Sequence, residues 1–244
     1  SSALAGVQTR PIQGVKGAMD PVDVKKAIRS DDIHHPYSGL ICIENTHNKA
    51  GGKVVPVENM KAIYEIAKVN DIPIHLDGAR LFNAAVAANV PVTEFTQYVD
   101  TVQFCLSKGL SAPVGSILAG SASFIKEARK WRKRLGGGLR QVGVLAAPGI
   151  IALETMVDRL AEDHANARLL AEGLAAIPGL SVHHEEVETN ILLCDIQATG
   201  LSNEEFLGLL KEAGVLAVSF GEGVIRFVTH REITSEMVEE AVTQ

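Results

Sequence analysis

Between residues 40 and 119 short β-branched apolar runs alternate with amphipathic stretches, and this alternation restricts the fold more than any other feature of the chain. The runs Leu40–Glu44, Ile72–Asp77, Thr101–Leu106 and Val114–Ala119 have strand length and strand composition. Two helical stretches lie among them, Pro56 to about Asn70 and Leu81–Ala88; Val57, Met60, Ile63, Tyr64 and Ala67 line one face of the first. Strands that alternate with helices form a parallel sheet covered by helices, and ligands of such sheets bind just beyond the carboxyl ends of the strands. Chemistry is therefore expected where these apolar runs stop.

The flanking sequence supplies further elements. Leu4–Ile12 is weakly strand-like, and Asp20 before Pro21 caps a helix running towards Ser30. Gly51-Gly52 marks a turn. After Gly136-Gly137-Gly138 the pattern is helical from Leu139 to about Ala176, with a break expected at Pro148-Gly149. Asn190–Ile196 and Val224–Val228 are strands, Ser202 and Glu205 form a capping box, and a last helix follows Thr234. The expected division is a large domain over 1–155, incomplete at its N-terminus, and a small C-terminal α+β domain over 156–244.

A formal charge of −6 with 46% apolar residues describes a globular chain and offers no basic surface for nucleic acid. The one basic cluster, Lys126 to Arg134, reads as the solvated face of a helix. Cys42, Cys105 and Cys194 lie in separate apolar runs without metal-ligand spacing, and are expected as buried thiols of a reducing compartment. Apolar stretches stop well short of a membrane span, and no signal-peptide pattern opens the chain, so a cytoplasmic protein is expected. The start at Ser1, without Met, suggests a fragment or processed product.

Two strand ends carry the chemistry. Asp77 closes an apolar run, where its charge needs a partner: either it caps the helix beginning at Gly78, or it pairs with a cationic group such as a protonated pyridine nitrogen. Lys108 follows the next apolar run: either it snorkels to solvent, or it is a partly desolvated amine that forms a Schiff base with an aldehyde cofactor. On consecutive parallel strands the acid and the amine share one crevice.

Around these positions the chain resembles the fold-type I pyridoxal-phosphate enzymes, and among them the threonine aldolases. The resemblance runs through Gly17-Ala18-Met19-Asp20-Pro21, Glu44-Asn45-Thr46-His47-Asn48, Gly51-Gly52 and His75-Leu76-Asp77-Gly78-Ala79-Arg80-Leu81-Phe82-Asn83. It continues in Leu106-Ser107-Lys108-Gly109-Leu110, Gly136-Gly137-Gly138-Leu139-Arg140-Gln141 and Arg226-Phe227-Val228-Thr229-His230. It implies a mostly parallel sheet covered by helices, the fold-type I large domain, with the small α+β domain after it.

By the same resemblance Lys108 carries pyridoxal 5'-phosphate, Asp77 pairs with its ring nitrogen and Arg80 lies near its phenolic oxygen. Arg226 would grip the substrate carboxylate, a task for a planar bidentate donor. His34 would stand near the substrate hydroxyl, and Lys133, as a substrate-binding residue, and Arg140, as a cofactor-binding one, would reach toward the cofactor phosphate or the active site of a neighbouring subunit, implying a homotetramer or dimer with shared sites. No metal ligand is identified. The family's opening segment, with its phosphate-binding Gly-Thr turn and a stacking histidine, has no counterpart here, so an N-terminal piece is expected elsewhere in the native assembly. The implied activity is cleavage of L-threonine or L-allo-threonine to glycine and acetaldehyde. A different fold-type I lyase, an aminotransferase or a hydroxymethyltransferase shares the Asp and Lys, and an inactive fragment or assembly subunit is the reading from another class.

Overall fold

The computed structural model describes residues 2–244. Strands β1 (Gly14–Val15) and β2 (Ala18–Met19) form a short antiparallel ribbon turned at Lys16 and Gly17, both with positive φ. Gly17 is required there: a Cβ would lie 2.4 Å from that of His47. The segment expected as a strand over Leu4–Ile12 is not one. Ser2–Ala5 is a single helical turn and no strand forms before Gly14, because no neighbouring strand lies alongside to accept its backbone hydrogen bonds.

The main sheet has the order β3 (Ile41–Glu44), β4 (Ile74–Asp77), β5 (Thr101–Cys105) and β6 (Ser116–Gly120). The first three strands are parallel, and β6 returns antiparallel to β5. The β5–β6 connection contains no helix and is too short for the crossover that a parallel partner needs. Alternation then divides the sheet into two faces. Ile43, Ile74, Leu76 and Val102 pack against Met60, Ile63 and Ala67 of the Val57–Val69 helix and against Leu81, Ala84 and Phe95. On the opposite face, register sets Cys42 beside His75 and Thr101, and Glu44 beside Asp77 and Gln103.

The second sheet, β7 (Ile191–Asp195), β9 (Val224–Val228) and β8 (Val218–Gly221), is antiparallel in the order β7-β9-β8. Its inner face, with Leu192, Cys194, Ile225 and Phe227, packs on Ala167, Leu170, Ala171 and Leu174 of the Leu160–Ala175 helix. The same helix starts at Leu160, which joins Leu106, Leu110 and Ala152 in a third cluster next to the Lys108 turn. One helix thus braces both sheets.

Two further expectations change. The Gly143–Thr155 helix runs through Pro148, and the break falls after Thr155. Proline there frees the carbonyl of Val144, whose residue is 76% exposed, so solvent takes the place of the lost bond. Nor are all three cysteines buried: Cys42 is exposed, Cys105 half-buried and only Cys194 enclosed, since Cys42 and Cys105 belong to the polar face of the sheet. Among the described residues no helix is long and apolar enough to cross a membrane.

Candidate active site

Asp77 closes β4 in a row of three polar side chains, between Glu44 and Gln103. Its Oδ1 accepts from the Ala79 amide at 3.1 Å and from the Gln103 side-chain amide. The turn that follows needs glycine, because a Cβ at Gly78 would approach the Gln103 carbonyl to 2.8 Å. Asp77 thus orders the turn into the Leu81–Ala88 helix through Ala79, and the rest of its carboxylate is exposed. That exposure corrects the expectation of a desolvated charge. On the same face His75 hydrogen-bonds Thr101 through Nδ1 at 2.8 Å; partial burial pushes its pKa down, against the pull of Asp77.

The turn places Arg80 within electrostatic reach of Arg226, which comes from the middle of β9 in the other sheet. Burial lowers the Arg80 pKa and the neighbouring Arg226 charge lowers it further, while Cys105 and Glu44 act the other way. Arg226 is held from two sides. Its Nη1 donates to Asn48 Oδ1 at 3.0 Å, and the guanidinium stacks over the Phe220 ring at 4.7 Å. Asn48 is in turn fixed by its amide, which donates to Glu44 Oε1 at 3.1 Å. The Nε atoms of Arg80 and Arg226 are both buried without a hydrogen-bond partner among the described residues. Two half-buried guanidiniums that repel one another, each with an unused donor, suit anionic oxygens bound between them.

Lys108 stands at the end of the next strand, in a turn closed by Ser111 N donating to Lys108 O at 2.8 Å and Ala112 N to Leu106 O at 3.0 Å. Its side chain is exposed, not desolvated as expected, and lines a cleft of 330 Å³ with Ser111, His230, Arg231 and Glu232. Gly109 lies under it, pressed onto Leu160, whose Cδ2 would stand 2.7 Å from an added Cβ.

The other expected residues make no hydrogen bond to this group. His34 is in an exposed turn, its amide donating to Asp32 Oδ1 at 2.8 Å. Lys133 is in the last turn of the Ala122–Arg134 helix and reaches the Gly138 carbonyl at 3.4 Å, and Arg140 is exposed just beyond. Conversely, Gln103, Asn48 and His230 belong to the site and were not singled out. The available signal for Gln103 was a polar residue in an otherwise apolar strand, two positions before Cys105; Asn48 and His230 sit inside the motifs that carry the resemblance. Among the described residues no group of His, Cys, Asp or Glu could hold a metal ion.

A parallel sheet with a carboxylate, an amine and paired arginines gathered at its carboxyl edge defines the large-domain architecture of the fold-type I pyridoxal-phosphate class. Comparison with known proteins narrows this. The profile of the beta-eliminating lyase family matches residues 1–197. A probable low-specificity L-threonine aldolase of Arabidopsis thaliana is 44% identical over 242 residues, covering 98% of this chain and 68% of the plant protein. A putative L-allo-threonine aldolase of Listeria monocytogenes superposes with a TM-score of 0.79 at 24% identity, over 99% of this chain and 68% of that one. A PLP-dependent aminotransferase of Streptococcus suis shares the fold at a TM-score of 0.70 and 20% identity, over 92% and 59% of the two chains. The chain belongs to the beta-eliminating lyase family and, within it, to the threonine aldolases, and it spans about two thirds of the length of the plant relative.

Proposed function

We propose that this chain is a pyridoxal-phosphate-dependent carbon–carbon lyase that cleaves L-threonine or L-allo-threonine into glycine and acetaldehyde by a retro-aldol reaction. The observation that carries the reading is two half-buried guanidiniums, Arg80 and Arg226, each with a buried Nε donor left unused and near enough for their charges to repel, at the sheet edge that also presents Asp77 and Lys108. Such a pair calls for two anionic oxygens, and a cofactor phenolate and a substrate carboxylate are two groups of that chemistry. The exposed face of the Asp77 carboxylate suits a protonated ring nitrogen, and Lys108 offers the primary amine that would carry the cofactor's aldehyde carbon. When bound, pyridoxal phosphate supplies an electron sink for the pair released from the Cα–Cβ bond.

The chain's own residues then divide the work. Arg226, held by Asn48 and Phe220, would fix the carboxylate and so decide which bond to Cα is aligned for cleavage. His34 would take the proton of the β-hydroxyl at an imidazole nitrogen as that bond breaks, and a proton returned to Cα completes glycine. Lys133 and Arg140, both exposed, would serve the site of a neighbouring subunit in a homotetramer or dimer. The reading further places the enzyme in the cytoplasm, as two units, 1–155 and 156–244.

Incubation of the cofactor-loaded protein with L-threonine and with L-allo-threonine tests the reaction. Glycine and acetaldehyde in equal amounts are expected; a keto acid would assign an aminotransferase instead, and dependence on folate a hydroxymethyltransferase. Borohydride reduction followed by peptide mapping is expected to leave a pyridoxyl group on Lys108, and a label elsewhere would overturn its role.

A further inference from the structure

Three segments of the site converge on a buried residue that touches none of the reacting groups. Asn83 is 3% exposed and lies in the first turn of the helix that follows Asp77–Arg80. Gly109, next to Lys108, packs against it, with an added Cβ 3.5 Å from Asn83 Oδ1. Asn190, which precedes β7, and Thr229, which follows the Arg226 strand β9, complete the junction from the other sheet. His164, 3% exposed on the bracing helix, closes it.

The polarity of this junction is fixed from one end. Asn190 Nδ2 donates to the Thr229 carbonyl at 2.9 Å, and a carbonyl can only accept. Asn190 Oδ1 therefore faces Asn83, whose Nδ2 lies 3.5 Å away and is the donor. The same Asn83 Nδ2 meets His164 Nε2 at 3.0 Å, so that nitrogen must carry a lone pair and the ring proton must sit on Nδ1. An Nε2–H at this position would set two donors against each other in an enclosed space, which is costly. Burial and the nearby Arg168 both favour the neutral ring. The main chain of Thr229 is tied back as well, its amide donating to Asn190 O at 3.0 Å.

We propose that the Thr229–Asn190–Asn83–His164 chain is the joint that keeps the Arg226 strand in register with the Asp77–Arg80 and Lys108–Gly109 turns, and that His164 is a positioning residue for the substrate-carboxylate grip. The proposal rests on the aldolase reading for what Arg226 grips, and on the hydrogen-bond geometry alone for the joint. Removing the acceptor lets the small sheet shift against the main one, which displaces Arg226 relative to Arg80 while leaving Asp77 and Lys108 on their own strands.

The test uses the full chain loaded with cofactor, in the wild type and in the variants His164→Phe and His164→Gln. Gln can set an amide oxygen where Nε2 stood. His164→Phe is expected to raise KM for L-threonine about tenfold, with kcat and the cofactor dissociation constant within about twofold. His164→Gln is expected to restore most of the loss. A KM that stays at the wild-type value in a folded His164→Phe protein overturns the proposal, as does an equal defect in both variants. Should His164→Phe fail to fold, heteronuclear NMR of the wild-type imidazole decides: the Nδ1–H tautomer at pH 7 is expected, and an Nε2–H tautomer overturns the joint. The tautomer is read without turnover and wild-type product formation tests the reaction by itself, so the two readings fail separately.

Discussion

Arg226 donates through Nη1 to Oδ1 of Asn48 at 3.0 Å, so the guanidinium of the small sheet is aimed by a side chain of the loop that follows β3 in the large one. Asn48 supplies aim without charge. Asn48→Ala is expected to raise KM for L-threonine about five- to tenfold with kcat within about twofold, since it removes one net hydrogen bond and leaves the charge in place. Arg226→Lys is expected to cost more, about a hundredfold in kcat/KM, because a point charge cannot make the planar two-point contact. Steady-state kinetics on both variants checks the order; an Asn48→Ala enzyme as impaired as Arg226→Lys would contradict it.

Asp77→Asn keeps the oxygen that accepts from Ala79 and removes only the charge. Cofactor affinity is expected to fall tenfold or more, on the order of one lost charge-assisted hydrogen bond. Because Asp77 is exposed, the thermal midpoint of the cofactor-free protein should barely move. Spectrophotometric titration with the cofactor and a thermal melt separate the two effects; a large loss of stability with unchanged cofactor affinity would return Asp77 to a purely capping role.

Stability should fall as pH is lowered from about 6.5 to about 4. His164 has its pKa lowered from 6.5 to about 4, first by burial and then by Arg168. In that window the unfolded chain binds a proton that the folded chain does not, so each step down in pH favours unfolding; above 6.5 the residue adds no pH dependence, and below 4 no further loss. The full effect amounts to up to about 3 kcal/mol. The groups facing the ring are Asn83 and the Arg168 guanidinium, while Asp163, the preceding residue on the helix, is paired with Arg159 at 2.7 Å. Urea unfolding at several pH values should show this slope in the wild type and lack it in His164→Gln.

Gly52→Ala is expected to destabilise by about 2 kcal/mol or more, combining a left-handed backbone with overpacking. Its φ is +74°, and the new Cβ would stand 2.5 Å from Thr189 Oγ1, which donates to the Gly52 carbonyl. Gly208→Ala is the control: it sits mid-helix with nothing within 4 Å, and should stabilise by up to about 1 kcal/mol. Equal midpoints for the two variants in urea would show that the Gly52–Thr189 contact does not link the sheets.

The sequence displayed what depends on local pattern. Leu81–Ala88, Val224–Val228 and the Ser202–Glu205 capping box stand where periodicity and capping chemistry put them. Asp77 and Lys108 do end neighbouring β runs, because a charged residue after an apolar strand marks its mouth. What sequence could not display depends on partners distant in the chain. The row of Glu44, Asp77 and Gln103 arises from register between strands, and the approach of Arg226 to Arg80 and the Asn83 junction from the packing of one sheet against the other. The strand β8 is only four residues long, too short for its Val218-Ser219-Phe220-Gly221 alternation to mark it, and the reversed direction of β6 follows from the length of its connection. Exposure of Asp77 and Lys108 was equally invisible, since apolar neighbours in sequence imply burial only if another layer covers that face.

The two-faced main sheet has a practical corollary. Its polar face carries thiols at two depths, Cys42 in the open and Cys105 half-buried next to the Arg80 guanidinium, while Cys194 is sealed in the small-sheet core with its pKa pushed up to about 11 by burial. Cys42 lies two positions before Glu44 and Cys105 two positions after Gln103, so the two thiols flank the Asp77 row on one face. The protein thus contains native footprinting labels, and protection of these thiols from alkylation, with Cys194 as the buried reference, reports occupancy of that face in unlabelled wild-type protein, with no turnover and no chromophore.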